Sequence, residues 1–469
     1  MAVLVTGGAT LVGAGALASP ALAGTPGTWN KVSGLGGAAR NVDELGLERT
    51  VDGVLHIVWR RAGSGNADDL MHTAISADAR SVIAPVVITT MSGGLNASPD
   101  LLPDGTGGLR VLFSGLAEGQ PASGLLSTAT APASGTVWSV SPTPVSNNSA
   151  AGRSPVYAAK GIAGVLAGGT VFSAWGDSGP GSGGLHAGLD AGPPDARFDT
   201  GCCAVDPALA VDPATSQVVL AWIRLSNPTT SIAVQAFPGG PMLTAPNSGA
   251  AESQTRVGLT ARIGAPGVYV AYGSGTNQFL ATPVLWRVGD SRALVVDKTV
   301  GAQSTTIAAA PGGRLWVFWY HGTSLFVTRT NPAATRVGAV VRYSAPEGTR
   351  VLYRVVGDGS RGPLLDLFAF ADRGTGDFGY YHEQMRAGLT LAAKSSSKKS
   401  KAHKLTFTVT DAGDPVFGAA VHGKLGTKTV SAKTNASGKG TLKFASAGVV
   451  KATATKPDYL RTTLTVKVK

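Results

Sequence analysis

Pro207-Ala-Leu-Ala-Val-Asp-Pro-Ala-Thr-Ser-Gln-Val-Val-Leu-Ala-Trp222 holds a short apolar strand, a turn chemistry of Asp, Pro and Ser, and a second strand that ends on tryptophan. The second strand is apolar without alternation, the pattern of a strand covered on both faces. The same ending recurs at His56-Ile-Val-Trp59, Arg110-Val-Leu-Phe113, Val171-Phe-Ser-Ala-Trp175, Val268-Tyr-Val-Ala-Tyr272, Leu315-Trp-Val-Phe-Trp319 and Leu364-Leu-Asp-Leu-Phe368. Successive aromatics are 54, 62, 47, 50, 47 and 49 residues apart. A recurrence near fifty residues is the length of a four-stranded propeller blade, so the repeats predict an all-β chain with a seven-bladed β-propeller. A six-bladed propeller is the alternative, with one repeat as an insertion.

Ring closure is also predicted. Thr28-Trp-Asn-Lys-Val-Ser33 has the character of a fourth strand, like Gly135-Thr-Val-Trp-Ser-Val140, yet it precedes the first repeat. It is expected to complete the blade whose other strands lie between Tyr353 and Tyr381, which removes two exposed edges. Composition agrees: 64 glycines and few aromatics surround short Val, Leu and Ala bursts, the texture of a β chain.

Charge divides the chain. Up to Thr390 cations and anions balance at 25 each, and the cations are mostly arginine. From Leu391 onward, 14 lysines and one arginine face only Asp411, Asp414 and Asp458, so the whole net charge of +12 lies there. The break predicts a propeller over 28–386, a Lys/Ser-rich linker over 387–403 and a small basic β-sandwich over 404–469. The uncharged, Ala-rich opening that closes on Ala21-Leu22-Ala23 reads as a signal peptide over 1–23, so the protein is expected to be secreted. No other window approaches a transmembrane length.

The Pro-x-Leu-x-x-Asp step before an aromatic-ended strand, with Cys202-Cys203 just ahead of it, resembles secreted bacterial sialidase-like propellers over about residues 29–386. The resemblance implies the propeller fold and a carbohydrate-related role. The Asp-box, Ser-x-Asp-x-Gly-x-Thr-Trp, survives only as fragments such as Ser134-Gly-Thr-Val-Trp138, and the Arg-Ile-Pro motif of sialidases is absent. Fold and activity therefore part company. The C-terminal stretches from Val409 to Val421, from Thr434 to Leu442 and from Val449 to Tyr459 are similar to bacterial immunoglobulin-like and carboxypeptidase-regulatory-like domains, which implies a spacer or attachment module.

Candidate site residues follow from blade register. Loops that lead into the innermost strands gather on one face, where ligands bind. Arg40, Arg153, Arg256 and Arg354 fall just before innermost strands and could form a receptor for a carboxylate or sulfate, or could pair locally with Asp43, Glu44 or Glu252. Cys202 and Cys203 are the only cysteines, so in an oxidising compartment a vicinal disulfide is expected, stiffening a turn. No metal site is expected, because the histidines lack zinc-like spacing and the Asp190, Asp195, Asp199 and Asp206 group lacks the spacing of a calcium loop. No phosphate-binding loop or other cofactor motif occurs, and Tyr381-His-Glu383 is the densest acid-base cluster. The reading is a secreted, cell-surface-associated propeller that binds carbohydrate or protein ligands. The alternative is a sialidase-like glycoside hydrolase with degenerate motifs. The basic module is expected to meet anionic cell-envelope polymers rather than nucleic acid.

Overall fold

The computed structural model describes residues 21–34, 45–62, 67–117, 126–142, 145, 161–177, 184–189, 196–199, 204–226, 229–237, 239–250, 256–374, 376–396 and 403–468. The chain is all-β: apart from 3-10 turns at Gln278–Leu280 and Pro311–Gly313, the described residues form strands, turns and loops. None of the described helices is long and apolar enough to cross a membrane.

The N-terminal part opens with a nine-stranded sheet of two arms. The first arm contains Gly46–Arg49, Leu55–Ala62 and Asp68–Ile75, and the second contains Leu109–Ala117, Leu126–Ala131 and Ser139–Val140. One long strand, Val86–Pro103, is shared: its start pairs with Asp68–Ile75 and its end with Leu109–Ala117, across several register shifts. Five four-stranded antiparallel sheets follow, within 162–199, 204–244, 258–295, 303–344 and 351–385. In the first four of these the strands follow chain order. The last takes its fourth strand from the other end of the chain, because Asn30–Gly34 pairs with Phe378–Met385, Lys31 opposite Tyr381.

The packing runs in a circle. The first strand of each sheet contacts the first strand of the next, and Val351–Asp358 contacts Gly46–Arg49, so the series returns to its start. Glycine makes the close approach possible. A Cβ on Gly46 would lie 2.8 Å from the Leu101 nitrogen, and one on Gly258 would lie 3.0 Å from Thr306 Cα. The aromatic-ended strands fill the gaps between sheets: Trp59, Phe113, Trp175, Trp222, Tyr272, Trp319 and Phe368 are all buried. The last gap joins the two ends, where Phe368, Phe370 and Tyr380 share a cluster with Leu55, Ile57, Trp59 and Met71. The outermost strands Ser139–Val140, Leu243–Thr244 and Leu294–Val295 are two residues long, which keeps open sheet edges short.

Residues 21–24, where the leader reading places its cleavage site, belong to this fold. Ala21–Leu22 pairs with Ser81–Val82, Ala23 is buried, and the Gly24 amide donates to His382 Nδ1 at 3.0 Å. Residues 1–20 lie outside the described residues.

The C-terminal part has two sheets, one of Thr390–Ser396, His403–Asp411, Asp414–Pro415 and Lys439–Phe444, the other of Ala420–Leu425, Lys428–Lys433, Gly448–Thr455 and Thr462–Val468. Leu405, Phe407, Val421, Leu442, Val450 and Ala452 fill the space between them. The linker expected over 387–403 is corrected in part. Thr390–Ser396 is a strand pairing with His403–Asp411, because Leu389 and Leu391 are buried in the module's core. Ala387–Gly388 pairs in parallel with Tyr459–Leu460, and Gly388 also bridges to Ala339 of the 303–344 sheet. Residues 397–402 lie outside the described residues.

Candidate functional site around the ring of first strands

Arg256 precedes Gly258–Ala261 and reaches across the axis of the circle. Its Nη1 donates to Asp100 Oδ1 at 2.8 Å and its Nη2 to the Ile162 carbonyl, while Asp100 Oδ2 accepts the Gly164 amide at 2.7 Å. One guanidinium thus ties three sheets, and its fork is engaged by the protein itself. Arg354 lies within Val351–Asp358 opposite Phe370, just past a register shift, and is buried. Arg40, Arg153, Cys202 and Cys203 lie outside the described residues, as do Asp43, Glu44, Glu252, Asp190 and Asp195.

Bulges shape the beginnings of several first strands. Register shifts fall between Val205 and Ala208, between Gln303 and Thr306, and between Leu352 and Arg354. Asp206 and Ser304 adopt φ of 52° and 48° there, a left-handed conformation that re-aims neighbouring side chains. Ser304, Thr305, Arg256, Tyr272, Gly273 and Ala302 line a narrow cleft at this end of the 258–295 and 303–344 sheets. Beside it, Phe279, Leu280 and Val300 are exposed at 66%, 63% and 50%. The Phe279 carbonyl closes over Gly301, where a Cβ would lie 3.3 Å away.

A second network lies among the 351–385 sheet, the first arm and the chain start. Arg49 donates from Nε to Asp358 Oδ2 and from Nη2 to Asp366 Oδ2, each at 2.6 Å. His382 Nδ1 accepts the Gly24 amide, which leaves Nε2 to donate to Asp366 Oδ1 at 2.9 Å, where Gln384 Nε2 also donates at 3.1 Å. Burial works to raise the Asp366 carboxyl, but the hydrogen bond from His382, the Arg49 charge and the Gln384 hydrogen bond hold it below the usual range. Glu383, on the other face of the same strand, accepts the Gly27 amide at 2.7 Å and is raised by burial. Tyr381, His382 and Glu383 therefore serve separate contacts, as strand alternation requires.

Glu48 stands between these networks. Burial, then the charges of Asp358 and Asp100, push its carboxyl up to about 8 against the opposing pull of Arg49. A carboxylic acid that keeps its proton at neutral pH can donate it. In the first arm, His56 and His72 stack with ring centroids 5.3 Å apart and share a 3.0 Å contact from Nδ1 to Nε2. Burial lowers them to about 4 and about 3. Thr50 Oγ1 lies 3.3 Å from His56 Nε2 and donates to Asp52 at 2.6 Å. Among the described residues no group of His, Cys, Asp and Glu is arranged to hold a metal ion.

Sequence reasoning missed Glu48, the Arg49 network, the histidine pair and the exposed Phe279. The Arg49 and Asp366 partners are 317 residues apart, and no local pattern links them. Phe279-Leu280, apolar residues inside a loop, carried the one local signal.

No protein-family model matches the chain, and no curated protein matches it in sequence. Among solved structures it is similar to the Penicillium chrysogenum α-L-arabinanase complexed with arabinobiose, at 12% identity, 78% coverage of this chain, 98% of that chain and a TM-score of 0.43. It is also similar to the Kuenenia stuttgartiensis hydrazine synthase, at 12% identity over 74% of this chain and 98% of that one, TM-score 0.43. A third likeness is to the β-propeller domain of the Trilobed protease from Pyrococcus furiosus, at 8% identity over 73% and 94%, TM-score 0.39.

Proposed function

We propose that the protein is an exported β-propeller of seven blades, the two arms of the nine-stranded sheet and the five sheets after it, carrying an immunoglobulin-like sandwich. It binds a carbohydrate or protein ligand on the face where the first strands begin, and its lysine-rich module holds it at an anionic cell surface. The observation that carries binding over turnover is the engagement of Arg256: its fork is occupied by Asp100 and the Ile162 carbonyl, while exposed Phe279, Leu280 and Val300 stand beside the cleft above it. An exposed aromatic next to a polar-lined cleft offers a stacking surface for a sugar or an anchor for a protein.

The hydrolase reading rests on Glu48, whose carboxyl burial and the charges of Asp358 and Asp100 raise to about 8. A glycan array and a panel of fluorogenic glycosides, sialosides first, decide between the two. Saturable binding without turnover, weakened by Phe279→Ala, supports the binding protein. Turnover abolished by Glu48→Gln would replace it with the enzyme. Export is tested by locating the protein among culture medium, envelope and cytoplasm; a chain confined to the cytoplasm contradicts it.

A further inference from the structure

The three carboxylates of the C-terminal module all stand at one end of it. Asp411 and Asp414 lie in the hairpin that meets the 303–344 sheet, where they are bound by Arg314, Arg329 and Arg336. Asp458 is in the neighbouring turn, next to Tyr459, whose hydroxyl accepts from Arg329 Nη2 at 2.9 Å. The end that docks thus takes up the acidic residues, and the two broad sheet faces are left without any among the described residues.

Both faces carry lysine opposite lysine. On one sheet Lys424 is paired in register with Lys451, and on the other Lys404 is paired with Lys443. All four side chains are exposed, with Lys433, Lys439 and Lys467 also exposed on the module's strands. Side chains directly opposite on antiparallel strands start about 5 Å apart, and like charges there are destabilising. Around them stand hydroxyls, Thr429, Ser431 and Thr465 on one face and Thr406 and Thr441 on the other, and the one ring at these outward positions is the His422 imidazole, held 2.7 Å from Ser431 Oγ.

We propose that these two lysine-paired faces are the binding surfaces for a linear acidic polysaccharide, which can follow both sides of the module. The inference rests on the surface-retention reading above and names its partner and residues. Charge complementarity favours a polyanion. A flat bilayer would meet only one of two opposed faces, and single-stranded nucleic acid would call for a row of stacking platforms, where one face offers a single imidazole engaged by Ser431 and the other offers none. Hydroxyls between the lysines supply partners for sugar hydroxyls along the chain.

The test uses the full chain on immobilised polygalacturonate at low and high salt, with phosphatidylglycerol vesicles and single-stranded DNA as comparison ligands. Variants are Lys424→Thr with Lys451→Thr, Lys404→Thr with Lys443→Thr, and all four together. Each pair is expected to weaken polygalacturonate binding roughly ten-fold, because each lysine near an anionic surface adds a comparable increment and the binding is salt-dependent. Each pair should also raise the low-salt melting temperature, a gain that disappears when salt screens the repulsion. Parent binding that both pair variants leave unchanged overturns the inference while the retention reading stands. Parent binding confined to vesicles or to DNA overturns it in favour of that partner. A parent chain that binds none of the three at low salt overturns the retention reading, and the inference with it.

Discussion

Arg329 and Asp411 join the two parts of the molecule: Arg329 Nη2 donates to Asp411 Oδ2 at 2.5 Å, with side chains 7% and 2% exposed. The guanidinium also lies over the rings of Trp316 and Tyr459, 5.1 and 5.4 Å from their centroids. Asp411→Ala leaves that guanidinium buried without its partner, which costs about 3–5 kcal/mol. The expected outcome in calorimetry is a second, lower-temperature transition as the module undocks. Arg329→Met with Asp411→Leu restores a single transition, since an apolar pair removes the stranded charge. A single unchanged transition in Asp411→Ala contradicts the docking account.

Arg256→Ala tests the tie across the axis. It strands Asp100 and frees the Ile162 carbonyl, so chemical denaturation should show a loss of about 2–4 kcal/mol. Arg256→Lys recovers only part of it, because a single ammonium cannot reproduce the fork that reaches both acceptors. Equal stability of the Lys variant and the parent would show that the two-pronged geometry does not matter.

The buried histidine pair predicts acid sensitivity. In the folded protein the pair resists protonation down to about 4 for His56 and about 3 for His72, well below the ordinary 6.5. As pH falls below 6.5 the unfolded chain takes up protons that the folded one refuses, so stability present above that pH drains away. The slope is up to about 1.4 kcal/mol per pH unit for each group. His72→Gln keeps a donor toward His56 and cannot titrate, so its stability should fall less steeply between pH 6.5 and 4. Parallel curves for parent and variant would contradict neutral histidines.

Glu48 predicts the opposite slope at higher pH. Its carboxyl is raised to about 8 in the fold, so stability is full below 4.5 and declines as pH rises toward 8. Glu48→Gln removes the decline and should be more stable than the parent at pH 8 by on the order of 2 kcal/mol. An equally pH-dependent variant would place the titration elsewhere.

Much of this architecture was readable from particular residues. Trp59, Trp175, Trp222 and Trp319 mark strands apolar on both faces, and they are buried where neighbouring sheets meet. Trp29 announced a strand separated from its sheet, and Asn30–Gly34 pairs with the last one. The linker misled because Lys and Ser dominate its composition, while Leu389 and Leu391 carry the alternation that makes Thr390–Ser396 a strand. The axis was illegible for a different reason. Arg256 meets Asp100 from 156 residues away, a contact set by how sheets face one another around a circle, which no local spacing encodes.

Everything proposed for the face where the first strands begin depends on the chain's start completing its last sheet. Lys31 stands opposite Tyr381, with its ammonium 5.9 Å from that ring. Lys31→Cys with Tyr381→Cys, in a chain whose Cys202 and Cys203 are replaced by serine, should form an intramolecular disulfide under mild oxidation, seen as one cross-linked peptide by mass spectrometry. Free thiols at both positions in the folded, oxidised protein would mean that the circle does not close there.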